Sequence, residues 1–176
     1  MFFMFTAKKL KPKKLLVEIS IPTADGNFIA HYSEKGLAGL DFPAKKSSRV
    51  LSTNLKASVQ MLRWHRATAD ALKQMLAGRA AKNLPPFDWS GTTEFQQSVW
   101  REMLKISTGK TRSYGEVAER IGKPKAVRAV GGACGANPIP VLVPCHRILA
   151  ANKRLGGFSG GISWKKDLLS REGIVL

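Results

Sequence analysis

The sequence predicts an α/β (α+β) protein of two parts, a small α/β unit over residues 1–91 and a mostly helical unit over residues 92–176. Three observations predict this division. The first part contains alternating apolar and polar residues with a turn signal between them. A proline-rich linker follows at residues 84–91. The second part contains helix-capping sequences and apolar residues at helical spacing, and 176 residues suffice for one compact domain or two small packed ones.

The first part is predicted to form strands followed by a helix. Residues 15–21 alternate branched apolar and polar side chains, Asp25 and Gly26 supply turn chemistry, and residues 28–32 continue as a second strand. Residues 39–42 are expected to end a third strand. Residues 47–78 have apolar side chains at near-helical intervals and are predicted to be helical.

The second part begins with two capping boxes. Thr93 with Gln96, and Ser113 with Glu116, each place a hydroxyl three residues before a long polar side chain, which is typical of a helix start. The second of these helices should end at Gly122, and a further helix is expected over residues 125–136. Two short helices joined by a tight, glycine-containing turn form a helix-turn-helix, a pair that also occurs in proteins that do not bind DNA.

The last helix of this pair has an unusual composition. Lys125 and Arg128 stand among small residues, and two of these are the consecutive glycines Gly131 and Gly132. Glycine inside a helix costs about 0.5–1 kcal/mol relative to alanine. Such a helix usually allows close approach of another backbone, which is either a neighbouring helix or a groove of DNA. The excess of basic residues in the chain favours a groove of DNA over a neighbouring helix.

The net charge is the strongest bulk signal, because 29 Lys and Arg residues oppose 12 Asp and Glu residues to give +17. This excess predicts a polyanionic partner, either nucleic acid or an anionic membrane surface, while the alternative is a basic protein without such a partner. No apolar run approaches the length needed to cross a bilayer. The apolar N-terminus precedes its basic stretch, the reverse of a secretory signal, so a cytoplasmic protein is expected.

Two cysteines, Cys134 and Cys145, are present and do not make a disulfide framework. The histidines His31, His65 and His146 lack the paired spacing of zinc ligands, so no metal is predicted. His31 and His65 are expected to be surface or packing residues.

The segment around Cys145 carries the candidate chemistry. The apolar run 139–143, predicted to be strand-like, leads into Pro144-Cys145-His146-Arg147. Positive charge close to a cysteine lowers the pKa of its thiol, and a thiolate is a strong nucleophile. His146 is a plausible base, although neighbouring side chains of an extended segment point apart, so a water relay or a local turn is required. The spacing alone is equally compatible with a buried cysteine that acts as a small apolar residue.

These motifs together resemble the O6-alkylguanine-DNA alkyltransferases, also called methylated-DNA–protein-cysteine methyltransferases. The resemblance extends from about Phe95 to Gly173 and follows a set of motifs in family order: Ser113-Tyr114-Gly115, Lys125-Ala126-Val127-Arg128-Ala129-Val130, Gly135-Ala136-Asn137-Pro138, Pro144-Cys145-His146-Arg147 and Gly156 to Gly161. Residues 1–91 fit as the family's variable N-terminal domain. The resemblance implies a ribonuclease-H-like α/β fold there and a winged-helix-like helix-turn-helix in the second part.

The resemblance also implies roles for the site residues. Cys145 would accept the alkyl group, His146 would take its proton through a water, and Glu172 would orient His146. Asn137 would brace the turn before the acceptor, and Tyr114 would donate a proton or hydrogen bond to the leaving guanine. The backbone of Ile148 and the residue Ser159 would bind the damaged base.

The partner implied by the resemblance is double-stranded DNA containing O6-alkylguanine, bound by a monomer through the minor groove, with O4-alkylthymine as a further candidate substrate. Arg128 would fill the gap left by the flipped nucleotide. Contacts to DNA are also expected from the small and basic residues Lys125, Ala126, Ala129 and Arg147. No cofactor is implied, and nothing in the motifs would hydrolyse the product thioether, so each molecule would react once.

Three competing functions follow from the same residues. Alkyltransferase-like proteins bind damage without transfer, but they replace the acceptor cysteine, which this chain keeps as Cys145. A transcriptional regulator would use the helix pair without the Cys-His-Arg segment. A cysteine hydrolase would require turnover and an oxyanion hole, and it would leave the basic charge unexplained.

Overall fold

The described residues begin with a three-stranded antiparallel sheet in the order β1-β2-β3: β1 (Val17–Thr23), β2 (Gly26–Ser33) and β3 (Gly36–Asp41). The computed structural model describes residues 16–43 and 57–176. The predicted Asp-Gly turn joins β1 to β2, where Gly26 adopts a φ of 111° that favours glycine. The strand predictions are therefore confirmed within the described residues.

One face of the sheet is covered by α1 (Val59–Leu76). Its start is capped by Ser58, whose hydroxyl accepts a hydrogen bond from the backbone N–H of Met61 at 3.1 Å. Ala71, Leu72 and Met75 are buried toward the sheet, as the apolar spacing predicts. The helix predicted over residues 47–78 is thus confirmed from residue 59, while residues 47–56 lie outside the described residues.

The predicted linker at residues 84–91 runs beside the sheet in an extended conformation. The N–H of Leu37 donates to the carbonyl of Pro86, and the N–H of Asp88 donates to the carbonyl of Leu37, both at 2.8 Å. The Asp88 carboxylate also accepts a short hydrogen bond from the Ser33 hydroxyl. These backbone hydrogen bonds hold the linker alongside β3.

The second half is built from α2 (Glu94–Leu104), α3 (Tyr114–Arg120), α4 (Val127–Gly135) and α5 (Ile162–Arg171). Between them lie two short parallel strands, β4 (Arg112–Ser113) and β5 (Ile148–Leu149), and two 3-10 turns at Cys145–Arg147 and Ala151–Lys153. The capping boxes predicted for α2 and α3 are both present. Local sequence alone therefore determined where these two helices begin.

The helix-turn-helix consists of α3 and α4. Gly122 follows α3 with a φ of 70°, as predicted for a helix stop. α4 is shorter than the predicted 125–136, because Lys125 and Ala126 belong to a turn in which the N–H of Ala126 bonds to the carbonyl of Lys123 at 2.8 Å. Helix α2 holds this pair in place, since the indole N–H of Trp100 donates to the carbonyl of Ala133 at 2.8 Å.

The strand predicted over residues 139–143 is wrong. This buried segment consists of bends and turns, with Leu142 N–H bonded to the Pro140 carbonyl and Val143 N–H bonded to the Ile139 carbonyl, both at 2.9 Å. Val141 has a φ of 70°, which is rare for a β-branched residue. Its apolar composition reflects burial inside a turn and not strand alternation.

Buried apolar residues of both halves form one continuous core. A hydrogen bond of 2.9 Å from the N–H of Leu40 to the carbonyl of Pro138 joins β3 to the segment that leads to Cys145. Within the described part of the chain, no helix is both long and apolar enough to cross a bilayer.

Candidate active site

Cys145 opens the 3-10 turn after the buried segment 139–143 and is only 5% exposed. Its sulfur accepts a hydrogen bond from Nδ2 of Asn137 at 3.2 Å, and the same Nδ2 donates to the carbonyl of Val143 at 2.8 Å. The side-chain oxygen of Asn137 accepts from the N–H of Ile139 at 3.0 Å. Asn137 therefore holds the turn closed and also contacts the sulfur directly.

Burial raises the pKa of the Cys145 thiol, and the hydrogen bond from Asn137 opposes part of that rise. A thiol in this environment does not ionise readily by itself. Reaction as a thiolate requires a base that takes its proton and positive charge that stabilises the anion.

The candidate base is His146, which is fully buried and paired with Glu172. Nε2 of His146 lies 3.0 Å from Oε1 of Glu172, which directly follows α5 and whose side chain is 1% exposed. Burial alone would raise the pKa of Glu172, but hydrogen bonds from His146 and Arg147 outweigh it and lower that pKa to about 2. An ionised carboxylate only accepts hydrogen bonds, so Nε2 of His146 carries a proton.

Nδ1 of His146 is buried and has no hydrogen-bond partner among the described residues. Burial lowers the pKa of His146 despite the hydrogen bond to Glu172, so the ring is neutral at pH 7. With the proton on Nε2, Nδ1 presents a free lone pair. Because Cys145 and His146 share one 3-10 turn, they are not held apart as in an extended segment.

The prediction that Arg147 contacts DNA is wrong. Arg147 is 4% exposed, and its Nε and Nη2 donate to the Glu172 carboxylate at 2.8–3.1 Å. The remaining donors reach the Ile106 carbonyl at 2.6 Å and the Thr108 hydroxyl at 3.1 Å. With all three of its side-chain nitrogens hydrogen-bonded inside the protein, Arg147 anchors Glu172 and the loop after α2.

A cavity of about 640 Å³ lies between α4, the start of α3 and the loop after Leu155. Tyr114, Arg128, Cys134 and Ser159 line it. Tyr114 is close to the opposite wall, because a Cβ on Gly156 would approach its hydroxyl to 2.8 Å. The structure thus brings Tyr114, Ser159 and Arg128 to one cavity, and Cys145 is not among its lining residues.

Helix α4 presents small and basic residues to solvent. Arg128 and Ala129 are exposed on the helix, Lys125 is exposed in the turn before it, and Ala126 is half-buried. Added Cβ atoms would meet nothing nearer than Tyr114 at 4.0 Å from Gly131, and nothing within 4 Å of Gly132. Packing against the described residues therefore does not require glycine at either position.

Ile148, whose backbone the resemblance assigns to guanine recognition, is fully buried in β5 and has its carbonyl beside α5. That carbonyl accepts a hydrogen bond of 2.6 Å from the ammonium of Lys165. A carbonyl oxygen has two lone pairs, so it retains capacity for a further donor.

Sequence reasoning missed Lys165, which is fully buried on α5. A signal for it existed, since Lys165, Leu168 and Leu169 occupy one face of the helix at i, i+3 and i+4, and all three are buried. A lysine on an apolar face either extends to solvent or is held inside by specific partners.

His31 and His65 agree with the surface or packing roles expected for them, and Cys134 is a buried free cysteine. His31 lies between Glu18 and Asp41, with Nε2 at 2.8 Å from Asp41. His65 is 3.3 Å from the hydroxyl of Tyr32. Burial raises the pKa of Cys134 to about 12, which argues against reactivity of that thiol.

Comparison with protein families gives one match over the second half. The family described as "6-O-methylguanine DNA methyltransferase, DNA binding domain" matches residues 94–174. A methylated-DNA–protein-cysteine methyltransferase of Mycobacterium bovis is 48% identical over 103 residues, which cover 58% of this chain and 62% of that protein. The chain thus spans somewhat less than two thirds of this relative's length.

Solved structures extend the likeness over most of the chain. The Mycobacterium tuberculosis protein titled OGT, solved in complex with DNA, has a TM-score of 0.70 and 37% identity, covering 87% of this chain and 90% of that one. A second M. tuberculosis structure, titled O6-methylguanine methyltransferase, has a TM-score of 0.69 and 34% identity, covering 90% of this chain and 93% of that one. At 87% and 90% of this chain, both matches extend beyond residues 92–176 into the first half.

Proposed function

Because the chain belongs to the O6-methylguanine DNA methyltransferase family, we propose that it repairs alkylated DNA by moving an alkyl group from the O6 oxygen of guanine to Cys145. The observation that carries this proposal is the arrangement of Asn137, Cys145, His146 and Glu172. A buried thiol and a neutral imidazole share one turn, and an ionised carboxylate fixes the imidazole. O4-alkylthymine is a second candidate substrate of the same chemistry.

The proton of Cys145 passes to His146. Nδ1 is the receiving atom because Nε2 already donates to Glu172. The transfer is direct or passes through one water, and the resulting imidazolium is paired with the Glu172 carboxylate. General-base assistance of this kind contributes about 10²–10⁴ in rate.

The thiolate then displaces guanine in a single step. A sulfur–carbon bond forms while the carbon–oxygen bond breaks, and the electron pair of that bond leaves on the guanine. Tyr114 donates a hydrogen bond or proton to the leaving base, Ser159 helps to bind its oxygen, and the backbone of Ile148 recognises its edge. The product is a stable thioether, and the protein supplies no group to cleave it, so each molecule reacts once and no cofactor takes part.

DNA is the proposed partner, bound through its minor groove. The exposed small residues of α4 let its backbone approach the groove, with Ala126 and Ala129 at the contact and Lys125 near a phosphate. The net charge of +17 supports sequence-independent affinity. Arg128, exposed beside the cavity, fills the stack while the damaged nucleotide is rotated into the pocket.

The family also supports a finer description of the fold. We propose a ribonuclease-H-like N-terminal domain over residues 1–91 and a C-terminal domain over residues 92–176 with a winged-helix-like helix-turn-helix. The protein would act as a monomer, because one chain supplies the relay, the cavity and the exposed helix. We propose the cytoplasm as its compartment, since the acceptor thiol must stay reduced.

The test is intact mass after incubation with duplex DNA containing one O6-methylguanine. Each wild-type protein molecule is expected to gain one methyl group. The amount of methyl transferred should equal the amount of protein and should not rise further with longer incubation. Cys145→Ala should gain none, while Cys134→Ala, the matched removal of the other thiol, should gain one as the wild type does. Peptide mapping would assign the methyl group to Cys145.

Other outcomes would contradict the proposal in different ways. An unchanged mass with intact binding of the damaged duplex would indicate a damage-binding protein. More than one DNA repaired for each protein molecule would exclude irreversible transfer. Methylation that persists in Cys145→Ala would assign the acceptor role elsewhere.

A further inference from the structure

The proposed function leaves the buried lysine Lys165 without a role. Its side chain is among the largest fully buried ones and lies at 0% exposure. Its ammonium donates to the carbonyl of Ile148 at 2.6 Å and to the carbonyl of Leu155. Among the described residues, neither contact is to a carboxylate, although lysines are almost never fully buried unless paired with an opposite charge.

The two carbonyls belong to the two segments that form the site. Ile148 directly follows the turn Cys145–Arg147, and Leu155 begins the loop that carries Ser159 to the cavity. Lys165 therefore joins the acceptor segment to the cavity wall. Two neutral carbonyls explain how the ammonium is held, but they do not supply a counter-ion.

The charged and titratable groups around Lys165 leave one candidate for that counter-ion. Glu172 is already bound by His146 and Arg147. Cys145 and Cys134 both interact electrostatically with the ammonium, and His146, next to Cys145, also feels its charge. Burial raises the pKa of both thiols, but Cys145 accepts a hydrogen bond from Asn137 and shares a turn with the base His146, so it is the thiol that can lose its proton.

We propose that Lys165 is a positioning residue for alkyl transfer. Its buried ammonium holds the acceptor segment, residues 145–148, against the cavity loop, residues 155–159, and balances the charge of the Cys145 thiolate. The inference rests on the proposed function for the reaction that uses the thiolate. When the proton of Cys145 moves to His146, two charges form, and each meets an existing opposite charge. The imidazolium is paired with Glu172, and the thiolate with Lys165.

The deciding measurement is the pH dependence of alkylation of Cys145 by iodoacetamide, followed by peptide mass in a Cys134→Ala background. Lys165→Met removes the charge with little change in volume. It is expected to slow the reaction at pH 7 about tenfold or more, because loss of the ammonium raises the pKa of the thiol by about one unit. The rate should recover at high pH.

Two variants distinguish the effect of the charge of Lys165 from the effect of its hydrogen bonds to the two carbonyls. Lys165→Arg keeps the charge, so the pKa of the Cys145 thiol should change little. The alkylation rate at pH 7 is expected to stay within about threefold of the parent rate, whereas a shift of one pKa unit would change it about tenfold. Lys166→Met removes the neighbouring exposed lysine on the same helix and should leave the profile unchanged. If Lys165→Met does not fold, Lys165→Gln is the neutral variant to use, because it can still donate to a carbonyl.

A Lys165→Met or Lys165→Gln protein that is folded by circular dichroism and keeps the parent pH profile would overturn the proposal. A Lys165→Arg profile shifted as far as that of Lys165→Met would overturn the charge assignment. Iodoacetamide needs no DNA, so these results do not depend on repair. The wild type failing to take methyl from O6-methylguanine DNA would refute the proposed function while leaving the iodoacetamide comparison intact.

Discussion

Nε2 of His146 lies 3.0 Å from Oε1 of Glu172, and this fully buried contact joins the acceptor turn to the end of α5. The same carboxylate binds the guanidinium of Arg147 at 2.8 Å and accepts a bond from the N–H of Gly109 at 3.2 Å. Glu172 therefore has two functions. It fixes the orientation of the base, and it neutralises the charge of the buried Arg147.

Glu172→Gln should lower both stability and reaction rate. The amide keeps the volume but leaves Arg147 as an uncompensated buried charge, so unfolding in urea should become easier by about 3–5 kcal/mol. The rate of methyl transfer should fall by at least about tenfold, because His146 loses its negative partner. Glu119→Gln, at an exposed position of α3, is the control and should alter neither quantity.

The acid sensitivity of the protein should be governed in part by Glu172. Its pKa is about 2 in the folded protein, below its ordinary value of 4.5, so the carboxylate stabilises the fold fully above pH 4.5. That contribution, roughly 3 kcal/mol, is lost as the pH falls from 4.5 through about 2. Urea titrations across this range should show a steeper loss for the wild type than for Glu172→Gln; equal slopes would contradict the assignment.

Features encoded by a few neighbouring residues were predictable from the sequence. The capping boxes at Thr93 and Ser113 and the turn at Gly26 each depend on a local pattern, and all are present. The strand predicted at residues 139–143 failed because apolar composition reports burial and does not distinguish a buried turn from a strand.

Contacts between distant residues were not predictable from local pattern. Arg147 stands in a basic motif next to the acceptor, yet a carboxylate 25 positions away determines that it is buried. Lys165 receives its partners from Ile148 and Leu155, 17 and 10 positions away. The pairing of His146 with Glu172 was expected only from the family resemblance, since their spacing carries no local signal.

Asp25→Asn should loosen the joint between the two halves. The Arg171 guanidinium, next to Glu172 in the chain, binds Asp25 through two bonds of 2.6 and 2.7 Å and the Leu76 carbonyl at 3.0 Å. The hydrogen bond from Arg171 lowers the pKa of Asp25, but both side chains are partly exposed. The expected cost is therefore only about 1 kcal/mol.

A double-mutant cycle of Asp25→Asn with Arg171→Gln, measured by urea unfolding, isolates this pair. The two losses should be less than additive. Asp70→Asn, at an exposed position of α1, serves as a comparison and should change stability by less than about 0.5 kcal/mol. Strict additivity of Asp25→Asn and Arg171→Gln would show that the pair is not coupled.

Gly160→Ala should strain the contact between β3 and the cavity loop. An added Cβ would come within 2.5 Å of the ring of Phe42, which packs against Phe28 and Trp164 with ring centroids 5.5 and 4.9 Å apart. Overpacking of this kind costs about 1–3 kcal/mol. The loss should shrink when Phe42→Ala is present as well, and Gly157→Ala, which has open space, should be nearly neutral.

Arg128→Ala should impair repair of duplex DNA much more than reaction with the free O6-alkylguanine base. If Arg128 fills the stack left by the flipped nucleotide, its loss raises the cost of rotation, a step that the free base does not require. Lys125→Ala is the informative comparison, because the loss of a phosphate contact should weaken the binding of all DNA sequences equally. It should also reduce by about 1 the slope of the logarithm of affinity against the logarithm of salt concentration. Single-turnover rates on duplex DNA and on the free base distinguish a role in nucleotide flipping from a role in the chemical step. Equal losses for Arg128→Ala on the two substrates would assign that residue to the chemical step.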